Sequence, residues 1–389
     1  MMRFAFASII AVSLLGAQSS LSQTPARTLA RPQAEFPEPF TEISSLRELR
    51  DGRVIVVDGR ELTVKVIDFR TGLATTIGRT GDGPGEYRWP GKLYVLPGDS
   101  TVLQDQSAGR LMIIGPDAKP GGFFDPNRAE GDSIVARARR FFPRASDARG
   151  NIYGELQPIK VGAGGVLELS DHSAIERFNV ATRQRDTVAL WPLRKDANAR
   201  MMNGYVITQP RRTAFPAWEQ WAVAPDGRVA FVFPDPYRVN FVGADRSVKE
   251  NPPITYEKVR VDDAVKKWHR EERERPQMVM RGSRDGGSRM EMMKMPYTEP
   301  SEWPEFLPPY VGQVIFGSDN LLWIPRTTVP GKPPTYDIVD GQGKVFERLE
   351  LPPRTKLVGF GAKSLYVVRL DEDDLQYLQR HPLPTTGRP

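Results

Sequence analysis

Two aspartates stand at equivalent points of two similar segments: Asp58 ends the run VIVVD (Val54–Asp58) and Asp105 ends TVLQD (Thr101–Asp105). Carboxylates repeated around an axis could ring a cation or a polar ligand, because hard cations take oxygen donors. The same residues could instead accept backbone N–H bonds in the turns they precede, and their equivalence favours that structural use. Other catalytic sets are hard to assemble. The chain has no cysteine, which removes thiolate metal sites, disulfides and thiol nucleophiles. Its three histidines, His172, His269 and His381, lie on separate units, so no shared zinc site is expected. The chain lacks a G-x-S-x-G elbow, and no motif names a cofactor.

Two further groups of side chains could bind rather than react. Six of the 11 methionines, Met278, Met280, Met290, Met292, Met293 and Met295, surround the stretch Arg281–Ser288. They could pack as a lid, since unbranched thioethers fill irregular gaps. They could form an adaptable surface for a peptide or apolar ligand. Met290, Met292, Met293 and Met295 could also hold copper(I), a soft ion. Arg128, Arg137, Arg139, Arg140, Arg144, Lys160, Arg211 and Arg212 fall in or beside long connections. Converging, they would attract an acidic glycan or a peptide carboxylate; scattered, they are solvated surface. The candidate ligand-binding set is Asp58, Arg79, Asp105, Lys160, Arg211, Arg212, Trp218 and Arg326.

These residues must be positioned by strands. Short runs rich in Val, Ile and aromatics follow turns at Asp51-Gly52, Gly98-Asp99, Arg149-Gly150, Asp226-Gly227, Asp319-Asn320 and Ala362-Lys363. A further run with period-two alternation follows each of them, as in TVKVIDF, RLMIIG and YRVNFVG. Six copies of a strand–turn–strand–loop–strand unit cannot each bury two faces alone, so radial stacking of four-stranded sheets is expected. The fold class is all-β: a six-bladed β-propeller over residues 35–386, with a helical, Met-rich insertion (256–309) between blades 4 and 5. The last copy lacks a fourth strand, and the segment from Glu35 to Phe40 is expected to supply it and close the ring. Within the insertion, Asp262 caps a helix over 263–275 that Pro276 stops.

The run Gly78-Arg79-Thr80-Gly81-Asp82-Gly83-Pro84-Gly85-Glu86-Tyr87, followed by Pro90 and LYVLPGDSTVLQDQSAGRLMIIGPD, resembles the six-bladed propellers of the NHL/TolB-like kind. The resemblance covers about residues 78–117 at motif level and 40–385 as architecture, and such propellers include scaffolds, binders and unrelated enzymes. A phosphate cradle is not expected at Gly78–Gly85, because no helix N-terminus follows; the glycines suit a tight crossing with positive φ. Strand parity adds one inference. The tight turns follow first strands, while the connections 78–89, 126–142, 158–171, 191–218, 256–309 and 326–334 follow second or fourth strands, so all the long ones should leave one face.

The N-terminal Met1-Met2-Arg3 precedes an apolar run from Phe4 to Leu15, which reads as a signal peptide over 1–22; residues 23–34 read as a flexible linker. Export to a periplasm or the exterior is expected, with no membrane anchor. A formal net charge of +6, with both signs interspersed, makes nucleic acid an improbable partner. The 34 glycines and 35 prolines rule out a bundle of long helices. The sequence therefore predicts a monomeric, exported binding module that engages a peptide, glycan or partner protein on its long-loop face. The alternatives are a metal-dependent hydrolase or lyase using axial carboxylates, and copper(I) binding by the methionines.

Overall fold

The computed structural model describes residues 25–384 apart from 108, 129–132, 134, 137–138, 193–197, 203–204, 210–212, 244, 276, 283–287, 295 and 330. The expected signal peptide lies outside the described residues. Six sheets of four or more strands follow one another along the chain. Blade 1 comprises Ile43–Glu48, Val54–Asp58, Thr63–Asp68 and Leu73–Thr76, and blade 2 comprises Pro90–Val95, Thr101–Asp105, Arg110–Ile114 and Pro120–Phe124. Blade 3 (Phe142–Ser146, Asn151–Glu155, His172–Asn179, Arg185–Pro192) and blade 4 (Gln220–Val223, Val229–Pro234, Tyr237–Val242, Val248–Lys249) repeat the meander. Blade 5 uses Ile315–Phe316, Leu322–Pro325, Thr335–Val339 and Val345–Glu350, and blade 6 uses Thr355–Phe360, Ser364–Leu370 and Gln376–Pro382.

Side-chain alternation explains the stacking. Every residue of Val54–Asp58 is buried, but Val54 and Val56 pack with Tyr366 and Val368 of blade 6 while Ile55 and Val57 pack with Leu103 and Met112 of blade 2. A strand buried on both faces therefore reads as an unbroken apolar run. Each of the six blade-to-blade junctions has its own cluster of buried side chains. The first strands touch one another in succession, so they are the innermost.

The ring closes where expected. Ala34–Glu35 pairs antiparallel with Arg380 and Gln379 of blade 6, Phe36 N–H donates to the Leu378 carbonyl at 2.8 Å, and Phe40 bridges to Gln376. Phe36 is fully buried in the junction of blades 6 and 1. Closure covers the edge of the Gln376–Pro382 strand and ties the start of the chain to its end. The stretch read as a linker differs from that reading: Ala26–Thr28 forms a fifth, parallel strand on blade 5, in register with Arg348–Glu350. Leu29 then buries against blades 5 and 6, and that apolar anchor fixes a segment whose composition alone suggests solvent.

The connections divide as strand parity requires. Every turn after a first or third strand is short, whereas the connections spanning 77–89, 125–141, 156–171, 193–219, 250–314 and 326–334 all follow second or fourth strands. The long-loop face also carries hairpins of its own: Ile159–Val161 with Leu167–Leu169, Asn198–Met202 with Tyr205–Gln209, and Gln277–Gly282 with Ser288–Met293. On the plain face the turns are stitched to their neighbours, as where Arg47 meets Asp99 at 2.8 Å and the Ala148 N–H reaches the Pro225 carbonyl at 2.9 Å. Among the described residues, no helix is long and apolar enough to cross a membrane.

Candidate ligand-binding site

The repeated aspartates are spent on structure. Asp58 is buried, and its carboxylate accepts N–H bonds from Thr41 at 2.7 Å, Glu42 at 3.2 Å, and Arg60 and Glu61 at 3.1 Å. It ties the strand that enters blade 1 to the turn that leaves its second strand. Asp105 does the same in blade 2, accepting from the Arg88, Trp89 and Ser107 amides, the Ser107 hydroxyl at 2.9 Å and Arg110 Nε at 3.3 Å. Burial alone would raise its pKa, but the hydrogen bonds from Ser107, Trp89, Arg88 and Arg110 outweigh it and hold the carboxyl below its ordinary value. Both residues sit on second strands, one strand out from the axis, with their oxygens already occupied. They do not fit a cation site. Among the described residues, no cluster of three acidic or histidine side chains could hold a metal.

The basic candidates do not converge. Arg79 pairs with Glu86 at 2.6 Å, Lys160 with Glu168 at 3.3 Å, and Arg144 with Glu155 at 2.8 Å. Arg211 and Arg212, like Arg137, lie outside the described residues. Trp218 is part-exposed, and its carbonyl accepts from the Tyr310 hydroxyl at 2.7 Å. The glycine-rich loop is a clip. Gly78 and Gly85 have φ of 67° and 73°, and a Cβ on Gly78 would lie 2.4 Å from the Gly85 carbonyl oxygen. Glu86 accepts the Gly83 N–H, while the Tyr87 hydroxyl donates to the Ile77 carbonyl and accepts from the Val64 N–H. Met295 lies outside the described residues, as do the side chains of Met278, Met280, Met290 and Met292, while the Met293 side chain is half-buried. The backbone sets Met278 opposite Met292 and Met280 opposite Met290.

Arg326 leads elsewhere. It follows the second strand of blade 5 and lines a cavity of about 510 Å³ on the long-loop side, within the ~300–1,000 Å³ range of small-ligand pockets. Three segments build its walls: the two arms of the insertion (256–259 and 307–309), the blade 5 connection 326–335, and the end of the outer strand with Pro25 and Ala26 beside it. The arms are held together by a hydrogen bond from the Leu307 N–H to the Val259 carbonyl at 2.8 Å. Val329 packs against Leu307, Val261 and Val265, which joins the blade 5 connection to the insertion. The helix Asp263–Glu274 stands beyond, capped by Asp262 accepting the Val265 N–H at 2.9 Å. It ends one residue earlier than its sequence suggests, with Arg275 already extended.

Beneath the cavity lies a third kind of aspartate. Asp337, in the third strand of blade 5, is fully buried. Its Oδ1 receives Arg348 Nε at 2.8 Å and faces Arg326 Nη1 at 3.7 Å, while its Oδ2 accepts the Tyr237 hydroxyl of blade 4 at 3.1 Å. Burial first, then the Asp337 charge, pushes the Tyr237 pKa well above its ordinary value, so this phenol stays a donor. Two guanidiniums thus share one carboxylate. Lys332, Glu257 and Glu350 also line the cavity and make no ion pair among the described residues. The Thr327 hydroxyl is buried there without a hydrogen-bond partner.

Sequence reasoning reached Arg326 but not Asp337, Arg348, Tyr237 or Thr327. A signal was present for one of them: Asp337 is the single charged residue of the strand TYDIV, whereas Arg348 stands among the charges of VFERLE. Another residue outside the candidate set is Lys92, on the inner strand of blade 2. Burial, with Arg144 nearby, pushes its ammonium pKa down to about 8.

Comparison with solved structures finds similar chains at low identity. A luciferin-regenerating enzyme matches at 14% identity and a TM-score of 0.43, over 92% of this chain and 98% of that one. Regucalcin, a calcium-binding protein from Agrobacterium tumefaciens, matches at 12% and 0.40, over 93% and 97%. Virginiamycin B lyase from Staphylococcus aureus matches at 10% and 0.36, over 90% and 87%. No protein-family model matches the chain, and no curated protein does.

Proposed function

We propose that the chain is an exported propeller of the NHL/TolB-like kind that binds a peptide, glycan or partner protein through its long-loop face. The insertion at 256–309 serves as lid or docking element. The observation that carries the reading is the asymmetry of the rims: the long connections leave one face, and a cavity with unpaired side chains opens there. Long connections in a compact domain usually serve function. A metal-dependent hydrolase acting through Asp58 and Asp105 is disfavoured, because their oxygens are taken by N–H donors.

The absence of cysteine gives a direct test. Single substitutions Thr328→Cys and Asp82→Cys place a fluorophore at two points of the long-loop face, and Asp51→Cys places one on the plain rim. Titration with pools of short peptides and acidic oligosaccharides should change the emission of at least one long-loop label and leave the plain-rim label unmoved. A response confined to the plain rim, or none at any label, contradicts the reading. Export is tested by fractionation and N-terminal sequencing, which should find a mature chain beginning near residue 23; a retained Met1 contradicts it.

A further inference from the structure

We propose that the blade 5 cavity seats the free carboxylate of a peptide C terminus, held by Arg326, with the last side chain against Tyr256, Val259 and Leu307. The inference rests on the long-loop face being a ligand surface and narrows it to one seat and one chemistry. Three observations carry it.

The first is an unspent cation. Arg348 satisfies Asp337 at 2.8 Å, and Tyr237 takes the other oxygen. Arg326, whose side chain is only 15% exposed, is left with a 3.7 Å contact to an oxygen already in use. A guanidinium presents five donors in a planar fork that matches a carboxylate. A mostly buried fork with one long contact therefore calls for an anion from outside.

The second is Thr327. Its buried hydroxyl has no partner, and an unpaired buried donor is destabilising unless something else bonds to it. It follows Arg326 directly and lines the same cavity; its hydroxyl has no surface open to that cavity in the ligand-free chain, so donating to the second carboxylate oxygen requires a change of its χ1 rotamer.

The third is the shape of the remaining wall. Tyr256, Val259, Leu307, Pro308 and Pro309 form an apolar stretch of the lining on the side of the insertion. Glu257, beside these residues, and Glu350, on the outer-strand wall, oppose a polyanion and can accept peptide N–H groups. A ligand with one carboxylate and an apolar neighbour fits this arrangement.

The probe is N-acetyl-Ala-Leu as free acid and as amide, with hexanoate as an acid lacking the peptide, titrated calorimetrically into the full chain. The free acid should bind at least about 10-fold tighter than the amide and than hexanoate. Arg326→Met should abolish the preference, Arg326→Lys should keep part of it because charge remains without the fork, and Thr327→Val should weaken it a few-fold. Equal binding of acid and amide, binding of neither, or a preference that survives Arg326→Met overturns the proposal, and equal binding of hexanoate overturns its peptide part. If Arg326→Met does not fold, the Arg326→Lys and Thr327→Val results decide. An emission change at the Asp82→Cys label without one at Thr328→Cys would sink this seat while leaving the binding face intact.

Discussion

The ends of blades 1 and 2 and the flank of blade 5 all bury aspartates, yet they use them in opposite ways. Asp58 and Asp105 each gather four or more donors and leave no charge unmet. Asp337 meets two arginines and satisfies one. The first arrangement fixes backbone; the second leaves a cation facing a cavity. A buried acid thus indicates a site only when its surroundings supply a surplus of the opposite charge.

Substitutions can break this contrast. The largest effect is expected at Asp105, where Ala leaves the Arg88, Trp89 and Ser107 amides and Arg110 Nε without their acceptor. The expected loss is about 3–5 kcal/mol, read by urea unfolding with an unchanged slope; a loss under about 1 kcal/mol would mean that water replaces the carboxylate freely. Arg348→Met removes the main partner of a fully buried Asp337 and should cost about 2–3 kcal/mol. Arg326→Met should cost less than about 1 kcal/mol, because Asp337 keeps Arg348 and Tyr237. Equal costs for the two arginines would erase the distinction between them.

The ring closure sharpens the comparison from a third side. His381 is fully buried on the last strand, with Nδ1 2.8 Å from the Ala30 carbonyl, and burial lowers its pKa below the usual imidazole range. The stability it preserves is therefore present above its unfolded value, about 6.5, and is lost as the pH falls through the lower folded value. Thermal melts should decline from about pH 6.5 downward, and His381→Gln should flatten that limb. Parallel declines in both proteins would exclude His381 as the cause. At lower pH the depressed Asp105 carboxyl adds a second decline, starting near pH 4.

Much of the architecture was legible in the residues. Val54–Val57 shows its burial on both faces as an unbroken apolar run, and the missing fourth strand of the last unit pointed to Glu35 and Phe40. The one-sided loops followed from parity alone. The strand Ala26–Thr28 was not legible, because three residues, Ala-Arg-Thr, carry no alternation and their pairing depends on a parallel register set by Leu29. The cavity was hidden for a similar reason. Asp337 and Arg348 are cross-strand partners, and Tyr237 joins them from another blade across 100 positions of sequence. No local pattern encodes such a meeting; only the assembled ring does.

The central claim is that Arg326, unlike Arg348, holds donors in reserve. Side-chain 15N NMR of the free protein, with assignments from Arg326→Lys and Arg348→Lys, measures this directly. The account predicts an Arg348 Nε–H protected from solvent exchange and insensitive to N-acetyl-Ala-Leu, beside an Arg326 Nε–H that exchanges quickly and slows when the free acid is added. Equal protection of both groups before any addition would contradict it.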